Sequence, residues 1–324
     1  MAQPSPSFSG SARSAKTPLE VRLERDGIAE SRHRVHAVVC DQRGRVLMRA
    51  GDPQQLSFVR SALKPFQATV FVSSGAAERC GCGERGLAIA CASHAGTAAH
   101  AREAFKLLWG AELEVERLQC PVPRGGQSPL EHNCSGKHAA FLASCRQMHW
   151  PLETYLQPNH PLQQEVLKRV AELLAVPAAE LVVARDDCGA PTLQLQLAQM
   201  ALLYAHLGAG ALPDLERLSR AMLAHPELVA GEERFDTELM RLGHGQVISK
   251  GGAEGIQCLS RVGEGLGMAI KVEDGSARAK HAVALHLLEQ LDWLTPAGLE
   301  QLRQRFLEPA PHLRLSVLGE LRFD

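Results

Sequence analysis

The feature that most constrains this chain is where its β signal falls: strand patterns stand toward both ends, and helical patterns fill the space between them. Early on, Val35-His36-Ala37-Val38-Val39-Cys40 and Arg45-Val46-Leu47-Met48-Arg49 flank Asp41-Gln42-Arg43-Gly44, two strands around a glycine-bearing turn and hence a hairpin. Later, Gln246 to Lys250, Ile256 to Val262 and Leu266 to Glu273 read as strands separated by glycine-bearing turns. An amphipathic helix follows from Ala277 to Leu291, with Val283, Leu287, Leu288 and Leu291 on its apolar face. Between about 61 and 241, Leu, Ala and charged residues recur at helical spacing, with predicted helix starts at Thr97, Ser135, Pro161, Pro191 and Asp214. Two or three strands rarely stand alone. The two sets are therefore expected to join one antiparallel sheet with helices packed on it and a helical lobe alongside, an α+β fold.

At 324 residues the chain lies near the size where one core stops growing. We read residues 20–324 as a single catalytic domain, with terminal strands at about 20–50 and 246–274 and a helical insert at about 61–241. Residues 1–19, dominated by Ser, Pro, Ala and Gly, read as a disordered tail without the basic start and apolar stretch of a secretion signal. No window offers the ~18 uninterrupted apolar residues of a membrane helix, so a soluble protein is expected. Thirty-five Lys and Arg against 36 Asp and Glu leave a net charge of −1, and with it no field to gather phosphate backbones or anionic lipid. Nucleic acid and membrane partners are thereby disfavoured. Nine scattered cysteines suit a reducing cytoplasm better than a disulfide framework.

Ser61-Ala62-Leu63-Lys64-Pro65 sets a hydroxyl and an amine three residues apart where a helix should start, so that both share a face. Serine needs a base to become a nucleophile, and a lysine serves if burial or a second cation brings its pKa toward neutrality. Read blandly, the same residues are a helix cap and a solvated lysine. Ser249-Lys250-Gly251-Gly252 puts a second lysine at the end of a strand, beside two glycines that admit a close ligand. Together the two motifs resemble those of the penicillin-recognising serine hydrolases. Ser93-His94 sits in a run of small residues leading to a helix capped by Thr97; Ser93 is either a proton relay for Lys250 or the hydroxyl of a buried turn. Cys134 and Cys188 each precede a predicted helix, where the dipole favours thiolate, so they are either zinc ligands or small core residues. Of the adjacent Asp186 and Asp187, one is expected to enter a cleft and the other to cap a helix. Cys80-Gly81-Cys82 reads as a reduced surface pair.

The joint, ordered occurrence of Ser61-x-x-Lys64-Pro65-Phe66-Gln67, Ala92-Ser93-His94, His132-Asn133-Cys134-Ser135-Gly136-Lys137-His138, Asp186-Asp187-Cys188-Gly189-Ala190-Pro191 and Ser249-Lys250-Gly251-Gly252 resembles the Rhizobium etli type of L-asparaginase, the asparaginase II or class 3 family. The resemblance runs from about Glu20 to Leu291. It implies a fold similar to serine β-lactamases and glutaminases, a homodimer, and hydrolysis of L-asparagine to L-aspartate and ammonia. It also implies Ser61 as nucleophile, Lys64 as its base and Ser93 with Lys250 as a second Ser-Lys pair. His94, Asn133, Asp186, Gly251 and Gly252 would support the substrate site, and Cys134, Lys137 and Cys188 would hold zinc near the substrate. Lysine is an unusual ligand because its amine must be neutral to coordinate. Rival readings are a glutaminase, a β-lactamase-like hydrolase, or a non-catalytic zinc-binding protein of the same fold.

Overall fold

The computed structural model describes residues 17–308 and 310–324. Most of the expected tail therefore lies outside the described residues, while its last residue, Leu19, is buried and opens the first strand. The main sheet is built from β1 (Leu19–Arg25), β2 (Ile28–Asp41), β3 (Val46–Ala50), β7 (Val247–Gly251), β8 (Ile256–Arg261), β9 (Leu266–Val272), β10 (Leu313–Leu318) and β11 (Arg322–Phe323). Its order is β10-β1-β2-β9-β8-β7, with β3 joining β2 to β11, and all pairings are antiparallel. The central register sets Val38 opposite Ala269 and Ala37 opposite Ile270, so the two ends of the chain meet in the middle of the sheet.

These strands read as continuous apolar runs because both of their faces are covered. Val38, Cys40, Ile248, Cys258 and Ala269 point to one core with Met200, Ala201 and Tyr204 of the helix Leu197–Ala209. Ala37, Val39, Leu259, Met268 and Ile270, one residue out of phase, point to a second core with Val283 and Leu287 of the helix Ala277–Gln290. A Cβ on Gly267 would stand 2.0 Å from the Ala201 carbonyl oxygen and 2.3 Å from the Ala205 nitrogen. Only a residue without a side chain lets that helix lie so close to β9.

The middle of the chain is not helical throughout. Residues Leu56–Phe58 (β4), Val182–Arg185 (β5) and Pro191–Gln196 (β6) form a small antiparallel sheet in the order β4-β6-β5. Pro191, expected to start a helix, starts β6, because the residues after it alternate buried and half-buried at a period of two that outweighs the proline signal. Cys188 consequently lies in the tight β5–β6 turn rather than at the start of a helix of its own. The expected starts at Thr97 and Pro161 do open helices, Thr97 through a capping box with His100, and Ser135 opens Ser135–Gln147 behind Cys134 as N-cap. Pro213 rather than Asp214 begins the next helix. Cys80 and Cys82 are half-buried free thiols between two short helices. The helix Pro296–Phe306 and strands β10 and β11 close the sheet beyond the last element read from the sequence.

Candidate active site

The β7 edge of the sheet meets the helical lobe, and a cavity of about 800 Å³ opens along that seam. Ser61, Ser93, His94, Asn133, Lys250, Gly251 and Gly252 line it together, which assembles residues drawn from four separate motifs. Ser61 stands on a single 3-10 turn, Arg60–Leu63, which runs on into Lys64–Gln67 with Pro65 in its first turn. The preceding residue, Arg60, has φ 55, a left-handed conformation unusual for a side chain of that size. This sharp turn presents the Ser61 hydroxyl to the cavity, where it has no hydrogen-bond partner among the described residues.

Lys64 is buried, and its ammonium donates to the Ala92 carbonyl at 2.7 Å, the Ser93 hydroxyl at 2.7 Å and the Asn133 carbonyl at 3.4 Å. The hydrogen-bonded Ser-Lys pair in this structure is thus Lys64 with Ser93, whereas sequence spacing had paired Lys64 with Ser61. Lys250 is fully buried and donates to the Gly251 carbonyl at 3.0 Å. Burial is the main cause that brings its pKa down to about 7, and the positive charges of Lys64 and Lys280 add to the effect against the opposing charge of Asp236. One amine in the cavity is therefore close to half neutral at physiological pH.

His94 is held at both ring nitrogens. Its Nδ1 accepts from the Gly96 backbone at 3.1 Å, and its Nε2 meets the Ser135 hydroxyl at 3.0 Å, which itself donates to the Leu130 carbonyl at 2.7 Å. Burial, reinforced by His100 and Lys64, holds it well below the usual histidine range, so it is a neutral brace for the Ser93 loop. Gly252 packs against the Ser61 turn: a Cβ there would stand 2.9 Å from the Val59 carbonyl oxygen.

Beside the cavity, Lys137 donates to the Cys188 sulfur at 3.0 Å and Cys188 hydrogen-bonds Cys134. That hydrogen bond, with the nearby charges of Lys64 and Lys137, pulls Cys134 well below the usual thiol range, and the same bond pushes Cys188 up. Burial opposes the Lys137 ammonium, but Cys134 and Cys188 keep it charged. Two sulfurs and one nitrogen so placed fit a thiophilic divalent ion once the shared protons leave. Among the described residues no three His, Cys, Asp or Glu side chains gather around a metal-sized space. Asp186 is buried and accepts from Arg60 Nε at 2.6 Å, and the exposed Asp187 pairs with the same guanidinium. Neither aspartate caps a helix: a tight turn follows, in which the Asp187 amide donates to Asp186 Oδ1 at 2.9 Å and the Gly189 amide to the Asp186 carbonyl at 2.8 Å.

Sequence reasoning missed Arg60, Asp236 and Lys280. Nothing local marked Arg60, whose backbone conformation is set by the turn. Asp236, half-buried, accepts from the Ser249 hydroxyl at 2.7 Å, the Gly251 amide at 2.8 Å and the Gln257 side chain at 2.8 Å. Lys280 is buried and donates to the carbonyls of Gly252 and Ile256 at 3.0 and 3.2 Å. It did carry a signal: it lies on the same helical stripe as Val283 and Leu287, a place where lysine is out of keeping.

The family described as L-asparaginase II matches residues 21–323. A comparison with curated proteins found no relative. Among solved structures, Mglu aligns at a TM-score of 0.48 and 13% identity over 80% of this chain and 67% of its own, and its glutamate form at 0.47 and 14% over 80% and 61%. A beta-lactamase from Mycobacterium bovis aligns at 0.35 and 12% over 84% and 95%. This chain spans between 61% and 67% of the length of the Mglu chains it matches. No helix among the described residues is long and apolar enough to cross a membrane.

Proposed function

The chain belongs to the L-asparaginase II family, and on that premise we propose that it hydrolyses L-asparagine to L-aspartate and ammonia through a serine acyl-enzyme, in the manner of the Rhizobium etli type and on a serine β-lactamase-like scaffold. The observation that carries this reading is the free Ser61 hydroxyl at a cavity lined also by the buried Lys250 and by Ser93, whose hydroxyl accepts from the buried Lys64. Ser61 attacks the side-chain amide carbon, and its proton passes to the neutral amine of the Lys64 and Lys250 pair. The amine that keeps its charge steadies the developing oxyanion. Ser93 accepts from Lys64, so its own proton can pass to the departing ammonia while a proton from Lys64 replaces it. Water then cleaves the Ser61 ester by the reverse path.

Cys134, Lys137 and Cys188 would hold zinc, which when bound supplies a positive centre for the amino-acid end of the substrate. Arg60, bound to Asp186, tethers that side of the cavity to the nucleophile turn. We further propose a cytoplasmic homodimer. The test is ammonia release from L-asparagine and L-glutamine beside turnover of a chromogenic β-lactam, each with and without chelator. Preference for asparagine is expected at roughly 10- to 200-fold over glutamine, the discrimination that one methylene allows. Cleavage of the β-lactam with no ammonia from either amide would overturn the reading.

A further inference from the structure

Lys250 is bracketed. Side chains alternate along a strand, so Ser249 lies on the opposite face of β7 from Ile248 and Lys250. On that face stands Asp236, second residue of the helix Phe235–Leu242 and, like Gly251 and Lys280, part of the cavity lining; it holds the Ser249 hydroxyl with one oxygen and the Gly251 amide with the other. A Cβ on Gly251 would meet Lys280 Nζ at 2.9 Å and Asp236 Oδ2 at 3.3 Å, so a second ammonium shares the space behind the same residue. One carboxylate thus serves a region containing Lys64, Lys250 and Lys280.

We propose that Asp236 is a positioning residue of the reaction described above: its carboxylate clamps the strand on either side of Lys250 and supplies the counter-charge that keeps this lysine partly protonated inside the cavity. The inference rests on the proposed role of Lys250. Three ammonium groups around a cavity repel one another, and without an anion Lys250, fully buried, would lose its proton altogether. The charged or titratable groups facing Lys250 are Lys64, Cys91 and Cys134 from the helical lobe, Cys258 from β8, and Asp236 and Lys280 from the helices Phe235–Leu242 and Ala277–Gln290. Tyr204 and His281 border Asp236 itself. Buried thiols such as Cys91 and Cys258 stay protonated, their pKa values raised chiefly by burial, and His281 stays neutral, burial and Lys280 holding it near 3. Asp236 is therefore the group here whose charge opposes the lysines directly, with Cys134 beyond it.

Asp236→Asn keeps the size of the side chain but removes the charge, and with its oxygen turned to Ser249 and Gln257 it gives up the acceptor of the Gly251 amide. In ¹³C-lysine-labelled enzyme, the Lys250 signal, identified by its loss in Lys250→Met, should have its midpoint at an at least tenfold higher proton concentration, that is one pH unit or more toward acid, in the Asn variant. The same inflection should move equally in kcat/KM, with kcat at a fixed pH falling more than KM rises. Asp236→Glu, which restores the charge, should titrate with the wild type. In the unsubstituted protein the Asp236 carboxyl carbon, assigned through its backbone, should show a second inflection where Lys250 loses its proton. A Lys250 titration unmoved by Asp236→Asn, or an Asp236 carbon blind to it, overturns the proposal. If Lys250→Met leaves amide hydrolysis intact, the function reading fails instead, and the NMR titrations still decide the role of Asp236.

Discussion

Removing the Lys250 amine should make the protein's stability less dependent on pH while abolishing its chemistry. In the folded state the amine ionises near 7 instead of at 10.5. A base whose affinity for protons is lowered by folding destabilises the native state most where both states are protonated, and stability rises with pH wherever the unfolded chain holds a proton that the native chain has given up. The cost is complete below pH 7, roughly 5 kcal/mol at about 1.4 kcal/mol per tenfold, and fades as pH rises toward 10.5. Between pH 6 and pH 9 the wild type should accordingly gain roughly 3 kcal/mol from this residue alone. Lys250→Met fills the same space with an apolar chain and removes that slope. Groups that titrate in both proteins cancel in the difference, and Asp236 remains ionised across the window, so it shifts the difference without bending it. Urea denaturation at half-unit pH intervals from 6 to 9 measures the effect, which exceeds the usual extrapolation error of 10–15%. Stability curves for the two proteins that run parallel within about 0.5 kcal/mol would refute the claim that burial depresses this lysine.

Ser61→Ala should lower asparagine turnover roughly 10⁴-fold or more while leaving the urea midpoint unchanged, because the hydroxyl makes no bond in the fold; substantial activity in the folded variant would point to Ser93 as nucleophile. Cys188→Ser, or chelation, should raise KM more than it lowers kcat, as loss of uniform binding does. Finding no zinc by elemental analysis in protein purified without chelator would return Cys134 and Cys188 to packing. Gly267→Ala should destabilise by about 3 kcal/mol or prevent folding, since the new methyl collides with helix backbone and not with a movable side chain; a change under about 1 kcal/mol would mean that the helix Leu197–Ala209 can slide.

The sheet was legible from the sequence where its strands are long and apolar. Two-sided burial writes an unbroken run such as Val35 to Cys40, and glycines mark where each run turns. β5 and β6 were misread because a proline followed by polar and leucine residues fits a helix start as well as a strand, and only pairing with β4 decides between them. The motif residues Ser61, Ser93 and Lys250 could be named because a hydroxyl and an amine carry their chemistry in their identity. Which amine bonds which hydroxyl could not, since Lys64 reaches Ser93 across a distance set by the Ala92 and Asn133 carbonyls. Asp236 was silent for the same reason: its meaning comes from a strand that follows it and a helix that follows later still.

The meeting of Val38 with Ala269 in the centre of the sheet also fixes a schedule for the growing chain. At synthesis rates of about 5–20 residues per second, β2 waits on the order of ten to fifty seconds for its β9 neighbour, and β1 waits longer for β10. Throughout that interval a long apolar strand has an open edge, the kind of surface that pairs with other chains. Lys250 is made after all the residues of the helical lobe, so a nascent lobe with Ser61 and Lys64 already in place has neither its cavity wall nor its second amine. Hydrolytic capacity should arrive late and all at once, as the last strands dock, and the cell's holding factors have their greatest leverage just before that moment.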